Sequence, residues 1–466
     1  MNLSVLRARV VLLLVAAYVI LNQGFMLVRF PPGSGSGVPT AELLVLAFIL
    51  FFVFDLRRLI GFALVAPLFP LVVWWVLGTV QALRGLEQHG IWALRDASHL
   101  TDSFFIWIGF VIAASPDFFA RFSGWLRTVL NIGVLYGLLF PFRETLAAYS
   151  PKISAPAGYS APIFFNYISS SLIPLTGAMA WLIDRVRFLA LPAVALAGML
   201  IVYNVVMFQA RTTYLQVIVL LMMLVILRPR DAARMSFSML IGVAMLALLL
   251  ASGLEISGRL GEKFSLDFLL EHFFSIWGEQ GSGMVASAAD GVWLRFRWWG
   301  KIWNDLTSNT GSFLFGLGYG IPLTDFRTPE NAIVREPHNS FISLFARQGL
   351  IGFLAFIWVQ LALVRSWFSV YRKCERQGDL LWRNTLLIMA TFFVLLFVFA
   401  LGEDGFEKPF NAIPYYLFWG VILRSEFELR AGRTLFEKEQ SPTRSAPRHK
   451  TAPTGRPIPA HFGTSR

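Results

Sequence analysis

The sequence predicts an all-α fold: a polytopic bundle of about twelve transmembrane helices with one large, mostly helical loop on its outer side. Three observations lead there. Hydrophobic residues make up 56% of the 466 residues and charged residues 15%, well short of the quarter usual in soluble domains. Apolar runs long enough to cross about 30 Å of hydrocarbon recur along the chain. Lys and Arg collect in alternate loops, the pattern of cytoplasmic loops in membrane proteins.

The apolar runs centre near Val15, Ile49, Val72, Phe110, Gly133, Leu172, Val194, Val219, Met245, Phe356, Leu395 and Leu417. Arg7 and Arg9 precede the first run as in a signal peptide. No small-x-small cleavage pattern follows it, so it is expected to stay as a helix. The positive loops carry Arg57 and Arg58, Arg121 and Arg127, Arg185 and Arg187, Arg228, Arg230 and Arg234, then Arg372, Lys373 and Arg376. The net charge of +12 therefore follows topology and is not a nucleic-acid signature. Both termini are expected in the cytoplasm. The single cysteine, Cys374, excludes an intramolecular disulfide and lies in the basic loop YRKCERQGDLLWR, read as cytoplasmic.

Four regions follow. Residues 1–252 hold the first nine spans, residues 253–337 one long outer loop, residues 338–425 three more spans, and residues 426–466 a basic tail. The tail is rich in Ser, Pro and Thr and reads as disordered. A loop this long inside a bundle is usually functional. Its helix-like segments DFLLEHFFSIW and WLRFRWWGKIW predict a small helical cap on the outer face. It ends in FLFGLGYG, whose Gly316, Gly318 and Gly320 read as turn glycines with close backbone approach.

Several chemistries leave no trace. The sequence has no phosphate-cradling G-x-x-x-x-G-K-[ST] loop, no H-E-x-x-H, no Cys/His cluster and no Asp-x-Asp pair. Chemistry, if any, is expected on the outer side, on a lipid-borne substrate, without an evident metal.

The stretch EPHNSFISLFARQGLIGF, residues 336–353, opens the first span after the long loop. At about 100° per residue, Phe341, Ile342, Phe345, Gly349, Gly352 and Phe356 fall on the side of His338, and Arg347 falls opposite. That predicts a helix starting near His338 with its glycine face packed on the bundle. Asn339 is expected to make polar contacts in the first turn. Such a histidine either caps a helix end or works at the interface.

The pattern His338-Asn339, nine residues, then Gly349-Leu-Ile-Gly352, just after the major outer loop, resembles the O-antigen ligase superfamily. QARTTYLQ resembles that family's Arg-Ser/Thr helix start, and LRFRWWGKIW and FGLGYG agree with its outer loop. Motif-level similarity spans about residues 208–365. The resemblance implies a metal-independent, inverting glycosyltransferase of the bacterial inner membrane with its site on the periplasmic face. It would move a glycan from undecaprenyl diphosphate to a hydroxyl of an acceptor glycolipid or glycan, and would need no cofactor. In a ligase the acceptor is lipid A–core; in the related polymerases it is another carrier-linked repeat unit. Phe353 stands where the ligases often have Ser or Thr, which leaves the polymerases open.

Within that reading His338 is the candidate base, since a neutral imidazole accepts a proton near neutral pH. Arg211 is the candidate partner of the leaving diphosphate, or else an interfacial arginine reaching for headgroups. Arg295 and Arg297 either grip phosphate or pack on Trp faces. Arg335 either binds phosphate or pairs with Glu336, and Asn339 lines the same place. A transporter or flippase, or a structural member of an envelope complex, are the readings from other classes.

Overall fold

A computed structural model describes residues 3–30, 38–40, 42, 43, 45, 47, 56–154, 160–166, 172–185, 187–188, 191–251, 283–327 and 333–436. It is 79% helix and 3% strand, in keeping with an all-α membrane protein. Among the described residues the strands form three short antiparallel pairs, such as Lys152–Ser154 against Ser160–Pro162. The centre of the expected span at Ile49, the segment DFLLEHFFSIW and the tail beyond residue 436 lie outside the described residues.

Among the described residues, five helices are long and apolar enough to cross a membrane: Leu3–Leu21, Leu68–His89, Pro229–Leu248, Ser340–Gln377 and Leu380–Ala400. Phe118–Leu138 with Phe140–Ala148, bent by 48°, makes a sixth if the pair is one span. The other expected centres fall on helices that miss that standard. Ser98–Ile112, Leu172–Asp184, Val194–Phe208 and Arg211–Leu227 are apolar but shorter than the ~20 residues a straight crossing needs. Pro409–Arg430 has 22 residues but carries Arg424, Glu426, Glu428 and Arg430 in its last turns. This last helix runs to Arg430 with Glu426 and Leu429 buried, so the tail begins later than the boundary drawn at residue 426.

The helices Leu380–Ala400 and Pro409–Arg430 form the centre of the bundle. The first is apolar on every face beyond its first turns, and 78% of its apolar window is buried, against 28% for Pro229–Leu248 at the periphery. A helix hydrophobic all round belongs in the interior. Phe393 stacks on Trp419 between the two, ring centroids 4.6 Å apart. Cys374 is buried, whereas its neighbour Glu375 is exposed.

A network of charges ties the helices together at one end of the bundle. Arg127 makes a two-pronged pair with Asp184, 2.6 and 3.0 Å, and donates to the Thr385 hydroxyl at 3.0 Å. Asn384 donates to Asp184 at 3.3 Å and accepts from Arg228 at 3.1 Å. Arg228 also reaches the Tyr371 hydroxyl at 3.2 Å and Asp231 at 3.2 Å.

At the other end the Ser340–Gln377 helix is broken. Gly349 takes φ 64° and ψ −169°, a conformation open almost only to glycine. A break leaves carbonyls without their partners four residues on. Here Ala346 and Arg347 accept instead from the backbone N–H groups of Leu317, 2.7 Å, and Gly318, 3.2 Å. The glycine-rich loop thus seals the break. Gly316, Gly318 and Gly320 all have positive φ, as turn glycines do. A side chain on Gly349 would strike Leu314 C and O at 2.5 Å, as well as the Gly316 nitrogen.

The break corrects the continuous helical wheel expected through His338. Helical structure starts at Ser340, with Asn339 as its cap, and His338 itself has φ 53°. The phase is lost again at Gly349, so residues 338–356 do not share one face.

Gly349→Ala should lower stability by about 1–3 kcal/mol, the range for a strained backbone conformation. Gly124→Ala, within the Phe118–Leu138 helix with nothing within 4 Å of the added methyl, should be neutral or gain up to about 1 kcal/mol. Thermal unfolding in detergent, followed by size-exclusion chromatography, compares the two. Equal midpoints would mean that the break at Gly349 is unimportant.

Candidate functional site

The polar groups at the broken end form two touching clusters. The first surrounds His338. Asn339 caps the Ser340 helix, its Oδ1 accepting from the N–H groups of Phe341 and Ile342 at 3.0 and 3.1 Å. Its Nδ2 donates to the Leu401 carbonyl at 2.8 Å, which fastens the loop 401–408 to the helix start. Trp299 donates to the Pro337 carbonyl at 3.0 Å, and the Trp298 ring lies 6.0 Å from that of His338. The imidazole is thereby held from both sides.

Nδ1 of His338 stands 3.1 Å from Glu403 Oε2 and 3.7 Å from Asp404 Oδ2. Both carboxylates favour the protonated ring, Glu403 the more strongly. Arg295 donates to the Gly402 carbonyl at 2.8 Å and to Glu403 Oε1 at 3.0 Å. Lys408 pairs with Asp404 at 3.6 Å. Burial pulls the His338 pKa down, but Glu403 and Asp404 outweigh it and hold it above the ordinary histidine range. Burial likewise pushes Glu403 up, yet His338 and Arg295 keep it below the ordinary carboxylate range. The pair thus favours imidazolium beside carboxylate.

Arg211 opens the Arg211–Leu227 helix at the edge of this cluster. Thr212 packs against Gly402, and the charges of Arg211 and Arg295 are near enough to repel. Arg297, two residues beyond Arg295 and so about 200° round the helix, is exposed.

The second cluster is a buried ion network. Asp96 accepts from Arg335 through both oxygens, 3.2 and 2.7 Å, and lies 3.1 Å from Arg347. Arg347, 1% exposed, pairs with Glu336 at 3.1 Å and donates to the carbonyls of Ile321, 2.5 Å, and Gly318, 3.3 Å. Ser343 donates to Glu336 at 2.7 Å. Burial and the charges of Asp96 and Asp404 push Glu336 up, against the pull of Arg347. Glu407, held by Ser340, is pushed up to about 8 by burial and by Asp404 and Glu336.

Of the residues predicted from sequence, His338, Asn339, Arg295 and Arg211 come together here. Arg335 is adjacent but its partner is Asp96, not Glu336. Arg347 is no outward-facing residue of the helix; it is the buried centre of the second network. Glu403, Asp404, Glu407 and Lys408 went unpredicted, though the run LGEDGFEKP between two apolar segments carries the signal, since charges so close to the membrane are expensive. Asp96 had no signal: 239 residues separate it from Arg335. Among the described residues no group of three His, Cys, Asp or Glu side chains is arranged to hold a metal ion. No protein-family model matches the chain, and no curated protein matches it by sequence.

The two clusters should respond differently to truncation. Arg347→Ala leaves Glu336 and Asp96 buried short of a partner and should lower stability by about 3–5 kcal/mol. His338→Gly should leave the unfolding midpoint unchanged or raise it, because glycine takes positive φ freely. Thermal unfolding of both purified variants measures this. A large loss in His338→Gly would make that residue a structural one.

Proposed function

We propose that this protein is a membrane glycosyltransferase of the O-antigen ligase type, moving a glycan from undecaprenyl diphosphate to an acceptor hydroxyl. One observation carries the reading: a histidine backed by a carboxylate sits beside two arginines where a helical cap meets the bundle.

The chemistry follows from those groups. Neutral His338 takes the proton of the attacking hydroxyl. Glu403, 3.1 Å behind it, stabilises the imidazolium that results. The glycan leaves its diphosphate as the new glycosidic bond forms, and attack from the face opposite the leaving group inverts the anomeric carbon. Arg211 and Arg295 face the negative charge that grows on the diphosphate. Arg295 spends one donor on Gly402 and one on Glu403, which leaves part of its five-donor fork for phosphate.

In this reading the chain makes about twelve crossings of the bacterial inner membrane, with both termini cytoplasmic and residues 253–337 periplasmic. Lipid A–core as acceptor makes it a ligase; a carrier-linked repeat makes it a polymerase of the same superfamily. Transport is the weaker reading. Transporters use the freed carbonyls of broken helices to bind ions, whereas those of Ala346 and Arg347 are taken by Leu317 and Gly318.

Glycan profiles of a deletion strain separate the two enzymes. Polymer lost from lipid A–core while carrier-linked polymer persists indicates the ligase, and single repeat units accumulate if it is the polymerase. An unchanged profile counts against both.

Topology is tested with cysteines in a Cys374→Ser background, because the native thiol is buried. An impermeant maleimide on spheroplasts should label Trp293→Cys, at an exposed position of the cap, and miss Glu375→Cys. Labelling the other way round puts the site on the wrong side.

Transfer from purified carrier-linked donor tests the chemistry. His338→Ala should abolish it, and His338→Lys should not restore it, because an ammonium stays protonated at neutrality. Arg211→Lys should retain some activity and Arg211→Ala almost none. A base must be neutral, so activity should fall as pH drops through the raised pKa of His338. Glu403→Gln removes a charge that raises it, so the acid limb should move to lower pH while the maximal rate falls. An acid limb that stays in place in Glu403→Gln would exclude this histidine as its origin.

A further inference from the structure

A cavity of about 510 Å³ opens beside the second cluster. Its wall is mostly apolar and includes Leu83, Ile91 and Leu94, all exposed leucine or isoleucine side chains. Leu83 lies in the last turns of the Leu68–His89 helix, one of the candidate spans, so the apolar wall continues the face of a membrane helix.

The charged part of the wall is unevenly satisfied. Arg335 is held by Asp96, and Asp96 and Glu336 are both engaged by Arg347. Glu407 carries little charge at neutrality, with its pKa pushed up to about 8. Among the described residues Arg95 has no ion pair. Its guanidinium lies 4.8 Å over the Trp92 ring, and Arg335 lies 4.6 Å over the same ring. Arg29 also lines the cavity, close enough for its charge to act on Arg95. Glu42 lines the cavity too and interacts with Arg29, and Arg335 is matched by Asp96, so Arg95 is the guanidinium of this wall that an incoming anion would meet.

The cavity is linked to the histidine through one ion pair. Lys408 lines it and pairs with Asp404, which is 3.7 Å from His338. Contacts therefore run in one line from Arg295 through Glu403, His338 and Asp404 to Lys408. Arg295 and Arg211 lie at one end of that line and the cavity at the other.

We propose that this cavity is a second ligand site, taking the phosphorylated head of a lipid-anchored molecule with its chain along Leu83, Ile91 and Leu94. A guanidinium stacked on Trp92 presents its fork edge-on to phosphate. Its role as the acceptor side of a transfer reaction rests on the function proposed above; the binding itself does not.

The test uses the whole protein in dodecyl maltoside, Cys374→Ser, with Leu94→Cys as reporter. Dodecyl phosphate at ten times its dissociation constant should slow maleimide labelling of that cysteine about tenfold over the neutral detergent already present. Arg95→Ala should remove the protection and Arg95→Lys keep part of it, each variant first checked for a monodisperse elution peak. Undiminished labelling, or equal protection in Arg95→Ala, overturns the site. Protection by inorganic phosphate alone, to the same degree, overturns the lipid part of it. In transfer assays Arg95→Ala should raise KM for the acceptor and leave KM for the donor unchanged. Protection without any transfer activity would leave this site standing and remove the transferase reading instead.

Discussion

Two carbonyl groups, on Ala346 and Arg347, hold the broken-helix end of this molecule together. They exist as free acceptors only because Gly349 stops the helix there. The amides of Leu317 and Gly318 complete them, which fixes the end of the cap against the bundle. Arg347 is drawn into the same junction, where its side chain gathers Glu336 and Asp96. Asp96 in turn holds Arg335. The segment between Arg335 and Asn339 is thus held at one end through Asp96 and at the other by the bond of Asn339 to Leu401, with Trp299 on the Pro337 carbonyl between them.

The charges around His338 and those around Arg347 differ in kind. The Arg347 network is buried and matched, acid to base, and such networks break at high cost but add little net stability over apolar packing. The His338 cluster is more open, with the imidazole a third exposed and Arg295 shared between a carbonyl and Glu403. A matched buried network suits a scaffold.

Much of this is legible in the residues alone. The helices follow from long apolar runs, whose signal is strong because every backbone group in lipid must be bonded within its own segment. His338, Asn339 and Arg211 stand out as polar groups at the mouths of apolar runs, Arg295 as a positive group in the Trp-rich segment of an acidic loop, and the family resemblance joins them into one candidate site. What escaped was tertiary. Asp96 meets Arg335 only after the chain returns across 239 positions, and no local pattern marks that. The assumption of one continuous helix through Gly349 failed for a related reason: a glycine in a helix and a glycine that ends one look alike until a partner for the freed carbonyls is found. The acidic loop 401–408 was legible by the same rule of rarity.

The far charge network, built on Arg127, Arg228 and Asp184, has a consequence for how the protein sits in lipid. Arg211 and Arg228 mark the two limits of a single 17-residue helix, which at 1.5 Å per residue is about 26 Å long. That is short of the hydrocarbon thickness of a bilayer, about 30 Å. The two charge clusters therefore stand about one short helix apart along this part of the bundle, and the apolar residues between them are bounded by arginine at each end.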